Sequence, residues 1–160
     1  MTKTTVIGLG AMGAGIAGNL HRAGLLTGAW NRTPAHGQAA AQAHGFTLSD
    51  SLASAAQGAD LVITSVSADQ DLISVAEQLA QTLQTGAVVL DTSTVSIDTA
   101  KQVAHMLEAH GIHFLDGPVS GGKEGAEKGS MVMMVGGDQQ VLAQIQPVLD
   151  VITNKFTGVH

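Results

Sequence analysis

The feature that most constrains this chain is the stretch from Thr5 to Asn19, which has the sequence TVIGLGAMGAGIAGN. A short β-branched run leads directly into three glycines, Gly8, Gly10 and Gly13, with the spacing G-x-G-x-x-G. From Ala11 onward the residues are small, and apolar residues recur at helical spacing. The pattern predicts a buried strand, a tight turn and a helix that begins near Ala11.

The three glycines predict a binding site for phosphate. Gly8 permits the tight turn, Gly10 lets a pyrophosphate approach the backbone, and Gly13 lets the helix pack close to the strand. The first N–H groups of the helix have no intrahelical partner and lie at the positive end of its dipole. We therefore predict that a dinucleotide cofactor is held by Gly8, Leu9, Gly10, Ala11, Met12 and Gly13. The alternative is a glycine turn that serves only close packing.

The remainder of the chain alternates between strand and helix patterns. Further strands are predicted at Leu25–Trp30, Phe46–Leu48, Ala59–Val66, Ala87–Leu90, Ile112–Leu115, Ser130–Val135 and Lys155–Thr157. This alternation is typical of βαβ units in an α/β protein. We predict one domain over residues 1–160, a Rossmann-type, doubly wound and mostly parallel sheet. Its first six strands should have the order 3-2-1-4-5-6, and the last two are candidates for antiparallel pairing.

Composition argues against several other classes of protein. The net charge is −6 with seven Lys and Arg in no cluster, so we expect no nucleic-acid partner. No apolar run approaches the roughly 20 residues of a membrane span, so we expect no membrane association. The chain has no cysteine and no His-x-x-x-His spacing, so we expect no metal site. The first residues do not resemble a signal peptide, and we expect a cytoplasmic protein.

The end of the second predicted strand indicates which dinucleotide is bound. NAD-binding folds usually carry an acidic residue there, but this chain has Asn31, Arg32 and Thr33. A guanidinium can bind phosphate oxygens through two parallel hydrogen bonds, so we predict NADP. A surface arginine beside a turn is the alternative. We also expect Ser65, Val66 and Ser67 to border the cofactor, although they could equally be capping residues at a strand end.

Three segments together resemble the β-hydroxyacid dehydrogenases, a family that includes 3-hydroxyisobutyrate dehydrogenase and 2-hydroxy-3-oxopropionate reductase. They are GLGAMGAGIAGNL at Gly8–Leu20, DTSTVS at Asp91–Ser96, and DGPVSGG at Asp116–Gly122 followed by MVGG at Met134–Gly137. Pro-Val-Ser-Gly-Gly is the most specific, because it is not a generic turn sequence. The resemblance extends over almost the whole chain.

The resemblance implies an activity and a set of roles. It implies hydride transfer between NADP(H) and a short β-hydroxy acid or its semialdehyde. Ser120, Gly121 and Gly122 resemble the family's site for the substrate carboxylate, and a hydroxyl beside glycine N–H groups suits an anion. Thr94 resembles the residue that contacts the nicotinamide end. Without the resemblance, Ser120–Gly122 is equally well a flexible turn that leads into a helix.

The chain also departs from the family pattern. Ile97 stands where a proline is usual, and Gly117 replaces an alanine, so we expect slightly looser loops. Family members continue beyond His160 with the catalytic lysine and an all-helical domain that completes a dimer. No lysine here lies in that motif, so we predict no catalytic residue in this chain and an inactive cofactor domain of a homo-oligomeric enzyme. We also expect the last helix, near Val141–Ile152, to expose apolar surface.

Two other functions are consistent with these residues. The missing lysine would suit a non-catalytic NADP-binding module, which would have no use for the carboxylate motif at Pro118–Gly122. An imine-reductase-like enzyme would share the glycine fingerprint and an Asn-Arg-Thr sequence, but imine substrates lack the carboxylate.

Overall fold

The chain folds around a parallel sheet in a computed structural model, which describes the backbone of residues 2–159 and the side chains of residues 2–153. The strands are β1 (Thr4–Ile7), β2 (Leu26–Trp30), β3 (Leu61–Thr64), β4 (Val88–Asp91) and β5 (His113–Asp116). Their order in the sheet is β2-β1-β3-β4-β5, and every pair is parallel. The α/β, Rossmann-type fold class predicted from the sequence is confirmed.

Five helices follow these strands or lie between them. They are α1 (Ala11–Arg22), α2 (Pro34–His44), α3 (Leu52–Ala56), α4 (Asp69–Thr82) and α5 (Ile97–Glu108). Pro34 occupies the first turn of α2, which proline tolerates, and the Ser96 hydroxyl caps α5 by accepting a hydrogen bond from Thr99 N.

Each strand of the sheet contributes to two apolar cores, one on each face. Val6 belongs to the core under α1, whereas its neighbour Ile7 belongs to the core under α4 and α5. Ile63 and Val62 divide in the same way. Successive side chains of a strand point to opposite faces, so a strand buried on both faces is mostly apolar along its whole length.

The second half of the chain adds a smaller sheet. It contains β6 (Val119–Ser120), α6 (Gly122–Lys128), β7 (Met131–Val135), α7 (Gln139–Ile152) and β8 (Thr153–Val159). β7 is antiparallel to β6 and forms an antiparallel bridge from Gly136 to Asp116, at the end of β5. β7 and β8, however, are parallel to each other. Antiparallel pairing was predicted for the last two strands, and among the described strands it is found only between β7 and its neighbours β5 and β6.

The strand predicted at Phe46–Leu48 does not form. These residues are irregular, and Phe46 is buried in the core instead. One backbone hydrogen bond, from Ser49 N to Ala29 O, joins this stretch to β2, while the Ser49 hydroxyl accepts from Ala29 N. A side chain therefore takes the place of a ladder bond, and helix α3 begins after it, at Leu52, capped by Ser51.

The last helix is packed into the core rather than exposed. Val141, Ile145 and Leu149 of α7 are buried, and they belong to the same core as α1. The expectation of an exposed apolar face on this helix was therefore wrong. Within the described part of the chain, none of the helices combines the length and apolar character that crossing a membrane requires.

Candidate functional site

A cleft of about 330 Å³ opens at the carboxyl ends of β1, β2 and β3. This is where ligands bind in doubly wound sheets, and the volume is in the range of small-molecule sites. The cleft is lined by Ile7, Gly8, Gly10, Trp30, Asn31, Arg32, Thr33, His36, Ser65, Val66, Ser67, Asp71, Ser74, Val75 and Gln78. Eight of the thirteen residues predicted to bind the cofactor are in this set.

The glycine turn has the geometry that the spacing predicts. Gly8 has φ +96°, and a Cβ there would lie 1.9 Å from the carbonyl oxygen of Ser65. A Cβ at Gly13 would lie 1.8 Å from the carbonyl oxygen of Gly8. At Gly10, in contrast, a Cβ would meet nothing within 4 Å. Two glycines are therefore required by packing, whereas the third leaves open space over the backbone.

The start of α1 faces the cleft without a capping side chain. Gly10 is the N-cap residue, and the first turn of the helix carries no acidic residue. Leu9 is buried, and its N–H donates to Asn31 Oδ1 at 2.8 Å. Leu9, Ala11, Met12 and Gly13 therefore shape the turn from outside the cleft lining. An uncapped helix start of this kind suits an anion.

Asn31 connects the glycine turn to the end of β2. Its Oδ1 accepts from Leu9 N, and its Nδ2 donates to Thr33 O at 2.9 Å. One side-chain amide thus hydrogen-bonds the backbone of the glycine turn, at Leu9, and the backbone of the loop after β2, at Thr33. Asn31 also lines the cleft, so its contact with the cofactor stays a prediction, while its amide oxygen and nitrogen hold the loop in place.

Arg32 projects from the end of β2 and forms an ion pair across the cleft. Its Nη1 lies 2.5 Å from Oδ1 of Asp71, which is in the first turn of α4. The Arg32 side chain is 76% exposed, whereas the Asp71 side chain is 22% exposed. The two residues are 39 positions apart in the sequence, so the chain alone did not indicate this pair.

One wall of the cleft was missed from the sequence. Asp71, Ser74, Val75 and Gln78 line it from a single face of α4. Their spacing is i, i+3, i+4 and i+7, which places side chains on one side of a helix. The sequence shows this helical spacing, but it does not show that this face of α4 lies opposite the glycine turn. His36, in the first turn of α2, was missed for the same reason.

A hydrogen-bond network joins the loops that follow β3 and β4. Asp91 Oδ1 accepts from Thr64 Oγ1 at 2.7 Å and from Ser93 N at 3.2 Å. The Ser93 hydroxyl in turn accepts from Val66 N at 2.8 Å. The cleft residues Ser65, Val66 and Ser67 therefore depend on the adjacent strand end for their position.

Asp91 is the most electrostatically perturbed group in this network. It is fully buried, and its pKa is raised to about 6, mainly by this burial and to a smaller extent by the negative charge of Asp116. Hydrogen bonds from Ser93 and Thr64 oppose the rise. Among the described residues, no hydrogen-bond partner reaches Asp91 Oδ2. Burial of a partly satisfied carboxylate is unfavourable to its charged form.

The residues assigned by resemblance to the nicotinamide end and to the substrate carboxylate lie outside the cleft lining. Thr94 is exposed on the loop after β4, and Ser120, Gly121 and Gly122 are exposed where β6 meets α6. Gly121 and Gly122 have φ values of +124° and +60°, which disfavour any residue with a Cβ. We call the exposed segment Ser120–Gly122 the second surface.

The helix that follows the second surface, α6, is packed against α1, the helix of the glycine turn. Asn19 Nδ2 on α1 donates to the carbonyl oxygens of Ala126 at 2.6 Å and Glu127 at 3.0 Å, near the end of α6. A Cβ at Gly15 would lie 2.7 Å from the Ala126 carbonyl carbon. Gly117 is also tightly packed, because a Cβ there would lie 2.8 Å from Leu90 Cδ1. The looser loop expected there stays a prediction.

Asp69, a further titratable group that the structure describes, has structural partners. In the part of the chain that the structure describes, no three His, Asp or Glu side chains are arranged to hold a metal ion. Asp69 instead accepts from Thr99 Oγ1 at 2.8 Å and from Ser96 N at 3.3 Å, and these hydrogen bonds keep the pKa of Asp69 below its ordinary value. It joins the starts of α4 and α5.

Comparison with known families agrees with the geometry of this cleft. Residues 3–160 match the family model described as the NAD-binding domain of 6-phosphogluconate dehydrogenase. The chain belongs to this family. The glycine turn, the uncapped helix start and the parallel sheet are therefore those of an NAD(P)-binding domain.

Relatives of this NAD(P)-binding domain are oxidoreductases. An uncharacterised oxidoreductase of Shewanella frigidimarina is 39% identical over 93% of this chain and 52% of its own length. A probable 3-hydroxyisobutyrate dehydrogenase of Mycobacterium bovis is 34% identical over 98% of this chain and 53% of its own length. The chain thus spans about half the length of these curated relatives.

A solved structure shows the same arrangement. The 3-hydroxyisobutyrate dehydrogenase of Mycobacterium tuberculosis, solved with L-serine, superimposes with a TM-score of 0.93 at 33% identity. The match covers 99% of this chain and 54% of that one. The resemblance to the cofactor domain of β-hydroxyacid dehydrogenases is confirmed.

Proposed function

We propose that this chain is the NADP-binding half of an oxidoreductase that moves a hydride between NADP(H) and a short β-hydroxy acid or its semialdehyde. The observation that carries the proposal is the cleft itself. It combines the uncapped start of α1 beside Gly10 with a guanidinium, Arg32, at the end of β2. That end of β2 carries no acidic residue. When bound, the nicotinamide supplies the hydride, and the chain binds and orients it.

The residues of the cleft fit a phosphorylated dinucleotide. The open space at Gly10 would accept the pyrophosphate against the backbone N–H groups. Arg32 and Thr33 would contact the 2′-phosphate, while Ser65, Val66 and Ser67 would border the adjoining ribose. A hydrogen bond to a charged group contributes about 1.5–3 kcal/mol, so we expect NADP(H) to bind at least about tenfold more tightly than NAD(H).

The chain carries its own reporter for this experiment. Trp30 is the single tryptophan, and it lines the cleft. Titration of NADP+ and NAD+ against its fluorescence, repeated with Arg32→Ala and Arg32→Asp, should show the preference falling in the first variant and reversing in the second. Equal affinities for both cofactors in the unmodified chain would contradict the proposed NADP preference.

The substrate half of the proposal concerns the second surface. Ser120, with the N–H groups of Gly121 and Gly122, would bind the substrate carboxylate, and Thr94 would contact the nicotinamide end. These residues are exposed here, and the curated relatives are about twice as long as this chain. We propose that the remaining half of the intact, homo-oligomeric protein supplies the proton-transfer lysine and covers the substrate.

This division of labour predicts binding without turnover. General acid–base help contributes about 10²–10⁴-fold to a rate, and loss of orientation lowers the rate further. The 160-residue chain should therefore bind NADPH but not oxidise it with tartronate semialdehyde or related aldehydes. Steady turnover would show that a base within the chain suffices, and Lys123, beside the glycine pair, would then be the first residue to replace.

The same substrate panel separates the rival functions. A cyclic imine that is reduced, or that binds better than a hydroxy acid, would favour an imine-reductase-like enzyme. A non-catalytic module would bind NADPH and show no carboxylate binding that depends on Ser120. The cytoplasmic location stays a prediction.

A further inference from the structure

The Arg32–Asp71 ion pair occupies the part of the cleft where the cofactor's 2′ substituent would lie. Arg32 was identified from the sequence as the residue that would read this group. In the structure, its guanidinium already contacts a carboxylate from the opposite wall. Any group that approaches Arg32 therefore also approaches Asp71.

The two partners differ in their freedom to move. Asp71 is mostly covered, and it is held in the first turn of α4, where the helix dipole favours a negative charge. Arg32 is mostly exposed at the end of a long, flexible side chain. An incoming phosphate can therefore draw Arg32 toward itself, whereas the Asp71 carboxylate stays in the cleft wall.

The charges of the cleft lining balance each other. Among the lining residues that the structure describes, Arg32 is the one formal cation and Asp71 the one formal anion, with His36 as a further titratable group. A 2′-phosphate would gain the attraction of Arg32 but face repulsion from Asp71 nearby. A ribose with a free 2′-hydroxyl would meet no repulsion, and it could donate a hydrogen bond to the carboxylate.

We propose that Asp71 is a specificity-determining residue that opposes Arg32 and limits the preference for a 2′-phosphorylated cofactor. This inference rests on the proposed function, because it concerns the same cleft. The carboxylate that NAD-binding folds place at the end of the second strand is here supplied from α4, across the cleft. The cleft thus has one group for each kind of cofactor, and the balance between them sets the selectivity.

The test compares two neutralising variants of the 160-residue chain. Asp71→Asn keeps the size of the side chain and an oxygen for Arg32 but removes the charge. Asp98→Asn removes the same charge from the first turn of α5, where Asp98 is exposed and outside the cleft lining. Affinities for NADP+ and NAD+ are measured by Trp30 fluorescence, and thermal melting shows that each variant is folded.

We expect Asp71→Asn to bind NADP+ about threefold to tenfold more tightly, with NAD+ binding unchanged or weaker. Asp98→Asn should change both affinities by less than about twofold, because Asp98 is exposed and outside the cleft lining, where salt screens its charge. Adenosine 2′,5′-bisphosphate and AMP differ only in the 2′-phosphate. Asp71→Asn should therefore increase the affinity for adenosine 2′,5′-bisphosphate and leave the affinity for AMP unchanged. This result would assign the effect to the 2′-phosphate.

The outcomes separate this inference from the function on which it rests. If NADP+ binds the unmodified chain but Asp71→Asn leaves the ratio of the two affinities unchanged, the role of Asp71 is refuted and the proposed function stands. An equal change in the ratio in Asp98→Asn would also refute it, because the effect would then be one of net charge. If neither cofactor binds the unmodified chain, both proposals fail together.

Discussion

Replacing Asp91 with asparagine should stabilise the protein at neutral pH. Asp91 is buried with one oxygen unpartnered among the described residues, and its burial raises its pKa from the ordinary 3.8 to about 6. The carboxylate is therefore less stable in the folded chain than in water. Asparagine keeps an oxygen that can accept from Thr64 and Ser93, and it removes the repulsion from Asp116.

The sign and size of the effect follow from proton linkage. Between pH 3.8 and about 6 the folded state holds a proton on Asp91 that the unfolded state has released, so stability falls as the pH rises through this window. Above this window both states are ionised, and the full penalty applies. At about 1.4 kcal/mol per pH unit, the difference corresponds to an upper value of about 3 kcal/mol. We expect Asp91→Asn to gain about 1–3 kcal/mol at pH 7.5 and much less at pH 4.5.

Urea unfolding at the two pH values measures this directly, and the melting temperature at pH 7.5 should rise by about 3–10 °C. Asp50→Asn, at an exposed position, makes the same change in net charge and should have little effect at either pH. Destabilisation of Asp91→Asn at pH 7.5 would refute the reasoning, and so would an equal gain at both pH values. The first result would mean that the ionised carboxylate is needed to hold the loops after β3 and β4.

Three further predictions concern packing and the loops around the cleft. Gly13→Ala should lower the free energy of unfolding, measured in urea, by more than about 2 kcal/mol, because its Cβ would overlap the Gly8 carbonyl. Gly10→Ala should change the free energy of unfolding by less than about 1 kcal/mol but should weaken NADPH binding. Asn19→Ala removes two hydrogen bonds to α6, so it should lower the free energy of unfolding by about 1–2 kcal/mol and speed amide hydrogen exchange in α6. An unchanged exchange rate in α6 would contradict this prediction. Asp69→Asn should lower the melting temperature at pH 7. This difference should shrink as the pH falls below 3.8 and through the lowered pKa of folded Asp69, where the wild-type carboxylate also takes up a proton.

Local physics made most of the sheet predictable. The runs Leu61–Ile63 and Val88–Leu90 are apolar and rich in β-branched residues, a composition that suits a strand buried on both faces. The capping residues Ser96 and Asp138 act on backbone groups within three residues of themselves, so their effect is visible in the sequence. The strand prediction at Phe46–Leu48 was wrong because it did not take account of the Ser49 side chain. The Ser49 hydroxyl accepts the hydrogen bond from Ala29 N that a neighbouring strand would otherwise accept through its backbone.

The turn at Gly8–Gly13 and the position of Arg32 after the second strand follow from the sequence alone, because they depend on residues that are close together in the chain. The groups that face this turn and Arg32 follow only from the fold. The α4 wall, with Asp71 against Arg32, and the buried charge of Asp91 beside Asp116 arise where segments far apart in the sequence meet. Electrostatic interactions depend on distance and burial in space, and a linear pattern carries neither quantity.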